Sequence, residues 1–174
     1  MPEPPLLRHK GDEADEIPLS SAALIALLSA VHEKGADFRF RATGMSMYPT
    51  IRDGDIITVS PLLRVEPSAF DIVAFRHPAN QKLIVHRIIA LSPDSFLAKG
   101  DNSEPDGTIP RSHLLGVITK VERNGSSLFW PDKRRYPSLA KVYFQTVYLY
   151  LALRKRGYGI VLKLLGKRSL ETIQ

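Results

Sequence analysis

The chain has 174 residues, 44% of them apolar, which is enough for one domain with a hydrophobic core and short flanking segments. It contains no cysteine, so disulfides, thiolate chemistry and cysteine-based zinc sites are excluded. Its five histidines form no His-x-x-x-His pair, and neither an EF-hand loop nor a P-loop pattern is present. We therefore expect no metal site and no cofactor.

The net charge of +6 is distributed unevenly along the chain. Residues 1–17 hold five acidic and two basic residues, whereas residues 133–174 hold ten basic residues and one acidic residue. A basic block of this kind attracts nucleic acid or an anionic membrane surface, and a merely solvated basic face is the plainer alternative. We expect an anionic membrane surface rather than nucleic acid, and the oligomeric state is not predicted.

The first 36 residues are predicted to form a flexible lead followed by one helix. Residues 1–17 are acidic and contain three prolines, and the charge before the apolar stretch has the wrong sign for a secretory signal. Within residues 18–36, the run from Leu19 to Val31 predicts a helix that Ser20 or Ser21 caps and Gly35 follows. Its apolar run of about 13 residues is too short to cross a bilayer. We expect it to pack on the domain, with a surface-lying anchor as the alternative.

Residues 37–130 are predicted to form a mainly β domain. Short runs of β-branched and aromatic residues predict strands, and turn residues such as Pro93-Asp94, Gly100-Asp101-Asn102 and Pro105-Asp106-Gly107 separate them. Asn124-Gly125 predicts a hairpin turn. The predicted strands are Phe38–Arg41, Asp55–Val59, Ile72–Phe75, Leu83–Leu91, Ser95–Ala98 and Gly116–Val121.

Residues 131–174 are predicted to form a basic, amphipathic helical tail. Val142 to Leu153 is apolar nearly all round, Arg154-Lys155-Arg156-Gly157 interrupts it, and Ile160 to Leu165 resumes the apolar pattern. No segment is long enough to span a membrane. Tyrosines beside a basic cluster suit a helix at a membrane interface. A helix pair packed on the domain or on a second copy is the alternative.

One stretch, Gly44 to Ile51, places Ser46 between two methionines just before a proline. A serine hydroxyl is a poor nucleophile unless a base takes its proton. The β region offers His77, His86 and His113 as bases. His86 lies in a strongly apolar strand, where an ionisable ring needs a partner, although such a histidine is usually a satisfied core residue.

A third group should orient the histidine, and the segment from Lys99 to Gly107 supplies two carboxylates, Asp101 and Asp106. Aspartates in turns commonly do no more than bind nearby backbone amides, so at least one of the two is expected to be structural.

Five short sequence motifs, taken in chain order, resemble the motifs of a known protein family. They are Gly-x-Ser-Met-x-Pro-Thr, Asp-Gly-Asp, Asp-Ile-Val-x-Phe, Val-His-Arg-Ile and Lys-Gly-Asp-Asn-Ser. Over about residues 40–121 the chain resembles the type I signal peptidases and the wider group that includes LexA-like self-cleaving repressors. Histidine at position 86, where the bacterial branch has lysine, resembles the branch found in the endoplasmic reticulum, in archaea and in some spore-forming bacteria.

The resemblance implies a LexA/signal-peptidase-like β fold and a serine endopeptidase. It implies Ser46 as the nucleophile and His86 as the general base. Asp106 is favoured as the residue that orients His86, with Asp101 holding its loop near the site, and the reverse assignment stays open. The implied partner is a peptide or preprotein that binds as an extended strand with small residues just before the cut.

The chain also departs from the family pattern. Gly44 stands where some relatives have a serine that assists the oxyanion hole, and Met45 and Phe70 replace glycines. Relatives carry a membrane-spanning helix that we do not find, so a cytoplasmic or peripheral-membrane location is expected. Two other functions stay open: an inactive peptide-binding module and a self-cleaving regulator. The second is disfavoured because the first 37 residues hold one predicted helix and the chain has no Ala-Gly pair.

Overall fold

A computed structural model describes residues 19–128, 130, 138–139, 142–151 and 153. The predicted lead, residues 1–17, and the predicted apolar run Ile160 to Leu165 lie outside the described residues. The described elements are helix α1 (Ser21–Glu33), strands β1 (Phe38–Arg41), β2 (Ile56–Ser60), β3 (Ile72–Arg76), β4 (Leu83–Leu91), β5 (Ser95–Lys99), β6 (Pro105–Pro110), β7 (Leu114–Arg123) and β8 (Ser126–Ser127), a 3-10 turn (Arg111–His113), and a second helix, α2, seen at residues 138–139, 142–151 and 153.

The described strands form one antiparallel sheet in the order β1-β2-β7-β3-β4-β5-β6, with β8 paired to β7. The predicted mainly β fold with an N-terminal helix and a C-terminal helix is therefore confirmed. The long strand β7 pairs with both β2 and β3, and bulges interrupt both ladders. Bulges bend a strand and increase its twist.

Helix α1 begins two residues later than predicted because Ser20 takes the cap position. The Ser20 hydroxyl accepts a hydrogen bond from the Ala23 amide at 3.2 Å. Lys34 and then Gly35, with φ of 69°, end the helix. Leu28 is buried against the sheet, so α1 packs on the domain as expected. Within the described part of the chain, neither helix has the length and apolar character that a bilayer crossing requires.

Strand β6 contradicts the prediction that Pro105-Asp106-Gly107 forms a turn between strands. In the structure, residues Pro105–Pro110 pair with β5. Proline and glycine are poor strand formers, but β6 is the last strand of the sheet, and at an edge a missing amide leaves no ladder bond unmade. The pairing fixes Asp106 on a strand next to β5.

The predicted hairpin at Asn124-Gly125 is present. Its two central residues have φ of 51° and 77°, and Arg123 and Ser126 pair on either side of them. Positive φ at both positions is the geometry that Asn-Gly favours in a two-residue hairpin.

The core has two clusters of buried apolar residues. One contains Leu28 of α1, Met47 and Ile51 of the loop after β1, and residues of β2, β3 and β7. The other contains Phe75, Phe96 and their neighbours from β3 to β7. The loop that carries Ser46 is therefore part of the core packing.

Candidate active site

Ser46 lies in the loop between β1 and β2, and its neighbours anchor it. Met47 and Ile51 are 4% and 3% exposed, whereas Ser46 itself is exposed. At the start of the loop the amide of Gly44 donates to Asp53 Oδ1 at 2.8 Å. The apolar residues on the C-terminal side of Ser46 thus anchor the loop in the hydrophobic core, while Ser46 is exposed to solvent.

A second anchor fixes the C-terminal half of this loop. Asp55 is buried and accepts two hydrogen bonds from Arg123, at 2.9 and 2.8 Å, and one from the amide of Arg52 at 2.8 Å. Burial by itself would raise the pKa of Asp55, but these hydrogen bonds and the charge of Arg123 outweigh it and hold the pKa below its ordinary value. Arg123 also donates to the carbonyl of Thr50.

His86 is a buried residue of β4 with a carboxylate partner. Its Nδ1 lies 2.6 Å from Oδ2 of Asp106, which belongs to β6, two strands away. A carboxylate can only accept, so Nδ1 carries the proton and donates it. In the neutral ring the other nitrogen, Nε2, then has a free lone pair.

Gly100 separates His86 from the Ser46 loop. A Cβ placed on Gly100 would lie 2.6 Å from the carbonyl oxygen of Ser46 and 2.9 Å from His86 Nε2. The separation of those two atoms cannot exceed the sum of these distances. The amide of Asn102 donates to the same Ser46 carbonyl at 2.7 Å. Nε2 is thus the ring nitrogen on the side of the Ser46 backbone, and a side chain at position 100 would collide with both.

Ser46 and His86 line the same cavity, but no hydrogen bond joins their side chains within the described part of the chain. Catalytic hydrogen bonds are often long without substrate and tighten in the complex. The other two candidate bases lie elsewhere. His77 accepts a hydrogen bond from the Ala79 amide in its turn, and His113 contacts the carbonyl of Arg76.

Asp101 occupies a different environment from Asp106. Both of its oxygens accept from Arg87, each at 2.8 Å, and the two side chains are 1% and 0% exposed. The Thr50 hydroxyl also donates to Asp101, and Arg87 donates to the carbonyl of Phe70. Asp101 therefore connects β4 to the loop after Ser46, and within the described part of the chain it forms no hydrogen bond with His86.

Comparison with known families decides the class of this fold. The family model described as Peptidase S24-like matches residues 8–121, more than half of the chain. The chain belongs to the Peptidase S24-like family. Membership implies a serine peptidase or a LexA-like self-cleaving fold. Among curated proteins, none matches the chain.

The cavity of this S24-like domain measures about 630 Å³. Its walls come from β1, the Ser46 loop, the first half of β4 and the first turn of α1. Leu24 of α1, Phe40 of β1 and Val85 of β4 give it an apolar lining beside Ser46 and His86. Within the described residues, no group of three or more potential metal ligands is present.

Two features of the S24-like site were not predicted from the sequence. Arg87 received no role, although a charged residue inside an apolar strand signals a buried partner. Helix α1 was expected to pack on the domain, but its place at the cavity was not foreseen, because that contact depends on the position of the helix over the sheet.

Proposed function

We propose that the protein is a serine endopeptidase that uses Ser46 as nucleophile, His86 as general base and Asp106 as the residue that orients the ring. Asp101 is assigned a supporting role in the loop beside the site. The observation that carries the proposal is the position of the His86 ring: Nδ1 lies 2.6 Å from Asp106 Oδ2, and Nε2 and the Ser46 carbonyl both border Gly100. This arrangement supports the proposal because a ring with its proton on Nδ1 has Nε2 available to take the serine proton.

In the proposed mechanism, His86 Nε2 takes the Ser46 proton as Oγ attacks the peptide carbonyl. The amide of Ser46 has no hydrogen-bond acceptor within the described part of the chain. It is therefore free to donate to the oxyanion. Protonated Nε2 then gives its proton to the leaving amine. Water, activated by the same ring, hydrolyses the acyl-enzyme.

The proposed substrate is an extended peptide with small residues just before the cut, as in the histidine-containing signal peptidases that the chain resembles. Strand β1 is at one end of the sheet and also borders the cavity. An edge strand can pair with an incoming peptide through main-chain hydrogen bonds, with side-chain pockets giving selectivity. The apolar cavity beside Ser46 suits the substrate side chains.

Cleavage of a mixed library of secretory precursor peptides, followed by mass spectrometry, tests the proposal. We expect Ser46→Ala and His86→Ala to lower the rate by about a thousandfold or more. Ser127→Ala, at an exposed position on β8, is the matched control and should keep the wild-type rate. Equal product from wild type and Ser46→Ala would rule out Ser46 as nucleophile.

Family membership favours a second candidate, a regulator that cleaves its own chain. Incubation of the purified protein without peptide distinguishes the two functions. Self-cleavage at a rate independent of protein concentration would support the regulator. Saturable peptide binding with no cleavage of any chain would instead support an inactive peptide-binding module.

A further inference from the structure

Helix α2 has one face packed on the domain. Phe144 is 3% exposed, and its ring lies 5.1 Å from that of Trp130. Arg87 lies over the same ring at 5.9 Å. One turn later, Tyr148 contacts the ring of Phe70 at 5.4 Å. These contacts fix the orientation of the helix about its own axis.

The opposite face of α2 is apolar and exposed. Five large side chains, which we call the α2 stripe, are each more than half exposed: Leu139, Val142, Leu149, Tyr150 and Leu153. The four aliphatic residues follow one another at spacings of three, seven and four, and Tyr150 lies three residues before Leu153, so all five are on one side of the helix. Monomeric proteins rarely expose contiguous apolar patches of this kind, and those that do usually use them to bind a partner or a membrane.

Basic residues flank the α2 stripe in sequence. Lys133, Arg134 and Arg135 precede it, and Arg154, Lys155 and Arg156 follow it. No acidic residue occurs between positions 133 and 170. An apolar helix face with basic residues at both ends has the composition of a helix that lies in a membrane interface.

The charges also argue against a second copy of the chain as the occupant. Basic residues flank the α2 stripe on both sides in the sequence, so a parallel or an antiparallel pair of stripes would have basic segments of both copies at each end. Both arrangements oppose like charges, whereas an anionic surface neutralises them.

We propose that α2 docks this protein on anionic lipid. The apolar stripe enters the boundary between headgroups and acyl chains, and the flanking lysines and arginines contact the lipid phosphates. Because the packed face of α2 contacts Arg87, the neighbour of His86 in β4, the lipid surface would lie behind the candidate site. The proposal does not depend on peptidase activity.

Vesicle co-sedimentation of the full chain tests the proposal. We expect the wild type to bind vesicles with about 30% phosphatidylglycerol at least tenfold more tightly than vesicles of phosphatidylcholine alone, and to be released by salt. The variant Leu149→Glu/Leu153→Glu should lose about tenfold or more of this binding. Leu63→Glu is the matched control, because Leu63 is 97% exposed in the loop after β2.

A second variant, Arg154→Gln/Lys155→Gln/Arg156→Gln, separates charge from apolar contact and should weaken binding only to anionic vesicles. Light scattering after size-exclusion chromatography measures the oligomeric state, and so tests whether the α2 stripe binds a second copy of the chain instead of lipid. A dimer that Leu149→Glu/Leu153→Glu converts to a monomer would overturn the proposal in favour of a second copy. Unchanged vesicle binding by that variant would also overturn it.

Discussion

Asp101 and Asp106 are five positions apart in the sequence but lie in different environments in this fold. Asp101 and Arg87 form a closed ion pair, with both side chains at most 1% exposed. Asp106 and His86 are 13% and 8% exposed, and His86 lines the cavity. The first pair joins a permanent cation to a carboxylate. The second joins a carboxylate to a ring that can gain and lose a proton, which is the kind of pair that proton transfer requires.

The largest effect should come from breaking the buried pair. Asp101→Leu leaves the Arg87 charge buried without its carboxylate, and we expect a loss of about 3–5 kcal/mol in the free energy of unfolding. Urea denaturation measures it. The double variant Arg87→Met/Asp101→Leu removes both charges and should be clearly more stable than the single variant. A single variant as stable as the wild type would show that the pair has no structural role.

Asp106→Asn should have the opposite profile, with a large loss of activity and little loss of stability. An amide can donate to Nδ1 and so favour the tautomer that has its proton on Nε2, which cannot accept the serine proton. We expect kcat to fall by about 10²–10³-fold, with the free energy of unfolding within about 1 kcal/mol of wild type. Peptide-cleavage kinetics and urea denaturation report the two quantities. Full activity in Asp106→Asn would contradict its role in orienting His86.

Gly100→Ala tests the close packing of Gly100 against the Ser46 loop and His86. The added methyl group would meet Ser103 Oγ, the Ser46 carbonyl oxygen and His86 Nε2, so the loop must move away from the ring. We expect kcat/KM to fall by about 10–10²-fold. Gly116→Ala is the control, since its methyl group would meet Ser60 and Val59 of β2 and His32 of α1 and not the site. Equal activity losses in variants of equal stability would show that the effect is not local.

The smallest effect concerns the anchor of the Ser46 loop. The pKa of Asp55 is lowered in the folded protein, so its contribution to stability is present above the pKa of the unfolded chain and is lost as pH falls through the lower folded value. Arg123→Met should cost about 1–3 kcal/mol at neutral pH. The difference from wild type in urea denaturation should shrink below pH 3.8, the ordinary pKa of the carboxyl. A difference that stays constant down to pH 2 would contradict this account.

Much of the sheet could be predicted from local patterns, because alternating or continuous apolar runs bounded by turn residues identify strands. Strands β1 and β4 have the bounds that the sequence predicted. Strand β6 could not be predicted, since Pro105, Gly107 and Pro110 are local signals for turns and only pairing with β5 outweighs them.

The candidate site shows the same division between local and tertiary information. Residue types and order pointed to Ser46, His86 and two aspartates. Which aspartate contacts the ring depends on alternation along β4, which points His86 and Arg87 to opposite faces, and on β6 bringing Asp106 across β5. The family resemblance favoured Asp106, but the segment from Lys99 to Gly107 by itself contains no pattern that decides between the two aspartates.

The central claim is that His86 activates Ser46 as a nucleophile. Acid-quenched mass spectrometry after mixing with an activated peptide ester tests it directly, because an ester acylates faster than the acyl-enzyme hydrolyses. We predict an acyl group on the peptide that contains Ser46 in the wild type, no such group in Ser46→Ala, and acylation at least about 10²-fold slower in His86→Ala. Acylation of another residue, or equal acylation rates in wild type and His86→Ala, would contradict the claim.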